Sequence, residues 1–351
     1  MSNVTSKTYK GLDLFKFIAA VLVLLLHTIE TNNYYACELK FVITKFAVPF
    51  FFITSGFFFY KGISKSANHR DYFIGYEKRL LRIFFVWAIL IYSPYVIVSY
   101  IRANNSASVL KIVALLFRRF FIIGPGPYWY LVALMLSIVI IYLIYNCKYM
   151  LNIVIALGFV CLVVYSNFRG VFSDLPIIKY GFKLIDFVYS WELNFIMYGI
   201  PFTGIGFLIA KNNISISVKS SIILFISSTV LCVLEYNLFN ITGLSFFTEN
   251  SISFMYIVQA VSFFMLGINF EPKISIEKSK SLRQCSSFIY YIHFILLCNW
   301  VDVILVKIFG KATFSWQWIF PKFTFVLLIC SAMFLLIKKI NNKKLNFLIN
   351  G

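Results

Sequence analysis

Charge is scarce in this chain. Only 13% of its 351 residues are Asp, Glu, Lys or Arg, against 61% that are hydrophobic, and the mean hydropathy is +0.85. A soluble protein of this length needs far more polar surface, and no polar stretch is long enough to make a soluble domain. Two soluble domains are therefore excluded, and an all-α polytopic membrane protein is the class that fits. Acids are scarcer still: 13 Asp and Glu stand against 32 Lys and Arg, a formal net charge of +19. The Lys and Arg sit in short loops between apolar runs, which points to membrane topology and anionic lipid headgroups and away from nucleic acid. The seven Cys are scattered, with neither metal-ligand spacing nor a disulfide framework, and read as small buried hydrophobes. No internal repeat, glycine-rich phosphate loop or low-complexity tract is visible, and no metal site is expected. A small-x-small cleavage site is also missing after the first apolar run, so that run is a retained helix and not a signal peptide.

What is present is a set of apolar runs long enough to span a bilayer. They predict ten helices near 11–30, 41–60, 79–101, 127–146, 150–166, 192–211, 218–236, 251–270, 284–306 and 317–338. Residues 106–123 are apolar but broken by Lys111, Arg118 and Arg119, and read as an amphipathic helix on or dipping into the surface. With ten spans, 19 of the 32 Lys and Arg fall on the side of the two termini, including Lys78, Arg79 and Arg82 and the tail Lys338, Lys339, Lys343 and Lys344. Glu30, Glu38, Asp174, Asp186, Glu192, Glu235, Glu249 and Asp302 fall on the other side. Both termini are thus expected in the cytoplasm, and Asn32–Glu38 outside. The chain reads as one membrane domain over residues 1–351, with cytoplasmic ends at 1–10 and 339–351.

The first run, Gly11–Glu30, is unlike a lipid anchor. It carries Asp13 and Lys16 near its start and His27 and Glu30 near its end, and ionisable groups in such a segment belong on an interior face or a water-filled cavity. Lys16 and His27 are eleven residues apart, which puts them within roughly 20° of one helix face and about 16 Å apart along the axis. Glu30, three residues on, is near enough to orient the imidazole and raise its basicity. The bland readings are a hydrogen-bonded structural histidine and a solvated glutamate cap. The second run, KFAVPFFFITSGFFFY, holds Pro49, which bends a helix, and Ser55-Gly56, which lets backbones approach closely.

Taken together, four features resemble the acyltransferase 3 family of integral-membrane acyltransferases. They are an Asp and a basic residue opening span one followed, after ten intervening residues, by His, the VPFFF-x-x-SGFFF run, YWYLVAL from Tyr128 to Leu134, and FIYYIHF from Phe288 to Phe294. The resemblance runs from Gly11 to the tenth span. It implies a bundle of about ten helices and transfer of acetyl or related acyl groups from cytoplasmic acyl-CoA to hydroxyls of extracytoplasmic glycans or their lipid-linked precursors. Localisation would be the inner (plasma) membrane. Where the family pattern has Arg, this sequence has Lys16, which keeps the charge but loses the bidentate fork. A lysine there is also similar to the membrane half of vancomycin-resistance serine racemases, a branch linked to amino-acid handling. Because the sequence ends soon after the tenth span, neither a racemase nor an esterase-like domain is expected.

On this resemblance His27 is the general base and Lys16 a charge on the acyl-CoA path. Arg79 and Arg82 suit CoA phosphates or simply mark the cytoplasmic side. Trp129 stacks on donor or acceptor, or anchors at the interface. His293 corresponds to a family histidine whose role reads as structural hydrogen bonding. The donor expected is acetyl-CoA. Two rivals remain: a multi-pass transporter, whose polar interior faces would line a solute path, and a non-catalytic membrane component of polysaccharide or amino-acid handling.

Overall fold

The structure is a computed structural model. It describes residues 8–29, 33–92, 108–118, 126–147, 149–167, 195–242, 253–310 and 315–340, with isolated positions between them. The described residues are almost entirely helical and contain no strand. Five helices are long and apolar enough to cross a membrane: Lys10–Thr28, Tyr34–Ile63, Gly126–Ile144, Val218–Leu238 and Trp316–Ile340. Met150–Ser166, Phe195–Lys211 and Tyr256–Asn269 are shorter apolar helices. The protein is an all-α polytopic membrane protein, as its composition requires. It divides into two compact units, one of Met1–Phe51, Ser215–Tyr236 and Met255–Gly351, the other of Phe52–Ile214 and Asn237–Phe254.

The first unit is built around α1 (Lys10–Thr28). With it go the early part of α2 (Tyr34–Ile63), α9 (Tyr256–Asn269), α10 (Ile276–Leu296), α11 (Asp302–Phe309) and α12 (Ile319–Ile340). Most of α8 (Val218–Thr242) belongs here too. α1 packs most extensively on α10, and also on α9 and α12. Phe263 centres an aromatic cluster, its ring 4.7 Å from Phe15, 5.0 Å from Phe46, 5.1 Å from Phe50 and 5.4 Å from Phe225. α2 is interrupted by a π-helical turn at Lys40–Thr44. Such a turn releases carbonyls from the usual ladder, and Tyr256 takes that of Phe41 while Gln259 takes that of Val42. A buried ion pair, Lys322 Nζ to Asp302 Oδ1 at 2.7 Å, ties α12 to α11.

The second unit holds the rest of α2, α3 (His69–Phe84), α4 (Val109–Phe117), α5 (Trp129–Ile144), α6 (Met150–Asn167) and α7 (Ile200–Lys211). α2 and α7 cross at glycines. A Cβ on Gly56 would run into the carbonyl of Thr203, and one on Gly206 into the carbonyl of Ile53. The small Ser55-Gly56 pair thus permits the close backbone approach that its sequence suggests. α3 packs on α5 through Phe73 and Tyr142, stacked at 4.2 Å, and through a 2.9 Å hydrogen bond between His69 and the Tyr145 hydroxyl.

Three boundaries differ from the sequence expectation, for one reason. Helix two starts at Tyr34 and not near 41, because Asn33 caps it by accepting the Ala36 N–H. Helix three starts at His69 and not at 79, because Asn68 accepts the N–H groups of Arg70 and Asp71. The helix expected at 284–306, α10, starts at Ile276 and not at 284, because Ser275 accepts the Lys278 N–H. Each polar cap begins a helix in water before its apolar stretch starts. The segment expected as an amphipathic helix at 106–123 is helical over Val109–Phe117.

Candidate active site

α1 and α10 run parallel and in register. At one end the Asp13 carboxylate, buried in the first turn of α1, accepts the Ser279 hydroxyl at 2.7 Å and the Arg283 guanidinium at 3.3 Å. Further along, the Ser286 hydroxyl donates to the carbonyl of Lys16 at 2.9 Å. At the other end the rings of His27 and His293 lie 5.3 Å apart between centroids, tilted by 36°. Asp13 to His27 and Ser279 to His293 are both fourteen-residue steps, about 21 Å of helix. The seam therefore holds each pair at matching depth.

His293 is fully buried. Its Nδ1 lies 2.8 Å from the carbonyl of Ile289 and 3.0 Å from that of Tyr290. Carbonyls only accept, so Nδ1 carries the proton and Nε2 presents a lone pair. That Nε2 is buried and has no hydrogen-bond partner among the described residues. His27 is half-buried and meets the ring of Phe294 edge to face at 5.2 Å. Leu25 and Ile29, which flank it, pack with Ala36 and Ile319 in an apolar cluster. Lys40 closes the end of α1 by donating to the carbonyl of Ile29 at 3.2 Å, a cation at a helix C-terminus.

The predicted site residues fall in two groups. Lys16 and His27 lie on one uninterrupted α-helix of the first unit, both half-buried. Glu30, expected to orient His27, lies outside the described residues. Arg79, Arg82 and Trp129 belong to the second unit. Both arginines are exposed on α3, with Arg79 5.9 Å over the ring of Tyr76. Trp129 opens α5, half-buried, 6.1 Å from the rings of both Phe52 and Tyr198. Among the described residues no three His, Cys, Asp or Glu side chains converge.

The sequence reading passed over the pairing of His293 with His27 and the part played by Lys40. The equal fourteen-residue steps were a signal for the first. Nothing local marks the second. Chemically, the first unit offers an imidazole at a partly open position, a second imidazole fixed as an acceptor beside it, and an apolar surround that strengthens polar contacts.

Comparison with known proteins bears on the identity of this fold. A protein from Enterococcus faecalis named "Amino-acid racemase" is 25% identical over 312 residues, covering 81% of this chain and 40% of that protein. A second protein of the same name and organism is 38% identical over 95 residues, 25% of this chain and 12% of that one. The chain thus spans two fifths or less of the length of these curated relatives. No solved structure matches. The family model described as "Acyltransferase domain" matches residues 9–346, nearly the whole chain, and this helical membrane protein belongs to the acyltransferase 3 family.

Proposed function

We propose that the chain is a membrane O-acyltransferase that moves an acetyl group from acetyl-CoA, entering from the cytoplasm, to a hydroxyl of an extracytoplasmic surface glycan or its lipid-linked precursor. The observation that carries this reading is the pair His27–His293, formed where α1, the helix that also bears Lys16, meets α10 in the first unit. His27 takes the proton of the acceptor hydroxyl, whose oxygen attacks the thioester carbonyl. The C–O bond forms, the C–S bond breaks, and the imidazolium returns the proton to the departing CoA sulfur. Lys16 supplies positive charge along the path of the acyl-CoA arm, and an extended pantetheine is about long enough for the roughly 16 Å between the two residues. Arg79 and Arg82 suit the CoA phosphates. Trp129 offers a ring for donor or acceptor.

The test is the mass of surface glycans from cells with and without the chain, and with His27→Ala. A gain of one acetyl group that needs His27 supports the reading. Removing a general base costs about 10²–10⁴ in rate, so a well-folded His27→Ala protein with near-normal transfer overturns it. With both termini in the cytoplasm, a cysteine at position 33 in a Cys37-replaced protein labels from outside.

One observation favours a second reading: both relatives above are named amino-acid racemases. A transporter handling amino acids would move them without consuming acetyl-CoA, and a non-catalytic component of such handling would tolerate loss of His27.

A further inference from the structure

His293 is spent on neither packing alone nor a finished network. Its Nδ1–H is committed to two carbonyls of its own helix, which fixes both the tautomer and the ring. Its Nε2 is a pure acceptor, buried, unpartnered among the described residues, and on the ring beside His27. A buried acceptor without a donor is costly in apolar surroundings. No described donor answers it.

We infer that His293 Nε2 is the second contact for the acceptor: it receives a hydrogen bond from an O–H or N–H on the carbon next to the hydroxyl that His27 deprotonates. The acceptor is then a vicinal diol or a vicinal acetamido alcohol, and an isolated hydroxyl is a poor substrate. Two imidazoles with centroids 5.3 Å apart reach neighbouring substituents of one sugar ring. Holding the neighbouring donor also fixes which of the ring's hydroxyls faces His27, so His293 selects the position acylated while His27 performs the proton transfer. This rests on the acyltransferase reading above.

The experiment maps the acetylated sugar in glycans from expressing cells. It then uses two probes with acetyl-CoA and isolated membranes: the methyl glycoside of that sugar, and the same glycoside with the neighbouring donor replaced by hydrogen. A site that hydrogen-bonds a substrate group rejects an analogue lacking it. For the wild-type protein kcat/KM should fall about 10- to 100-fold on removing the donor, and His293→Leu should use both probes alike, near the wild-type rate on the second. Equal use of both probes by the wild-type protein overturns the inference, and so does a preference that survives His293→Leu. Should His293→Leu fail to reach the membrane, the wild-type comparison decides alone. Activity retained in His27→Ala overturns the base assignment while leaving the probe preference to be read separately. No transfer to any acceptor overturns both.

Discussion

The side-chain amide of Gln259 donates to the backbone carbonyl of Val42 at 3.0 Å, joining α9 to the π-helical turn of α2. Its second N–H meets the Thr229 hydroxyl, also at 3.0 Å, and its oxygen faces the Cys232 thiol at 3.9 Å. The residue is completely buried, and both of its donor hydrogens are used. The turn it holds also packs against α1, the helix that bears His27.

Gln259→Leu should therefore destabilise the protein by about 1–2 kcal/mol, in the range of interhelical hydrogen bonds in membranes together with an orphaned carbonyl. Thermal unfolding in detergent reads this directly. An unchanged midpoint would mean that Val42 finds another donor.

Lys16 stands where the family pattern has Arg. Lys16→Arg should keep or improve acetyl transfer, because the charge stays and a fork is gained. Lys16→Met should lose most of it. Ser286 holds the carbonyl of Lys16 and not its side chain, so neither change disturbs that contact. Equal activity in all three proteins removes Lys16 from the site.

The glycine crossing of α2 and α7 leaves no room for a methyl group. Gly56→Ala and Gly206→Ala should each push two backbones apart and cost about 1–3 kcal/mol, while Gly75→Ala, whose Cβ meets nothing within 4 Å, should not. Yield of folded protein after detergent extraction separates the three.

Glu77 lies on the polar part of α3, ahead of its apolar stretch. Burial pushes its carboxyl up to about 7, and its Oε1 has no partner among the described residues. A carboxyl raised above its unfolded value near 4.5 takes up a proton on folding. Its contribution is therefore favourable at low pH and fades as pH rises from about 4.5 through 7. Glu77→Gln should flatten the pH dependence of the melting temperature across that window and raise stability at pH 8. A wild-type profile that rises with pH there, and is unchanged by the substitution, refutes this.

Much of the fold was legible in the sequence because lipid permits so few solutions. Apolar runs had to be helices, and the positions of most agree with the structure to within a few residues. The starts at Tyr34, His69 and Ile276 were missed because hydropathy reports the lipid-crossing part, whereas Asn33, Asn68 and Ser275 set the beginning. At the site, Lys16 and His27 could be placed on one face because α1 is regular throughout. The neighbour of His27 could not, because it comes from a helix 266 residues away in sequence, and only the α1–α10 seam sets their register.

The π-helical turns have a consequence for how this chain tolerates change in length. Lys40–Thr44, Phe85–Tyr92, Phe195–Gly199 and Leu297–Val301 each wind with one residue more per turn-closing bond than an α-helix needs. Each is a place where the helix holds slack. Deleting one residue inside such a turn restores an α-helix and leaves the far end facing nearly as before, whereas the same deletion in a regular α-helical stretch swings everything beyond it by about 100°. At Leu297–Val301 such a deletion would keep Asp302 turned toward Lys322, while one in the α-helical stretch just before that turn would swing Asp302 away. These turns are thus the places where the chain can lose a residue without rotating the far end.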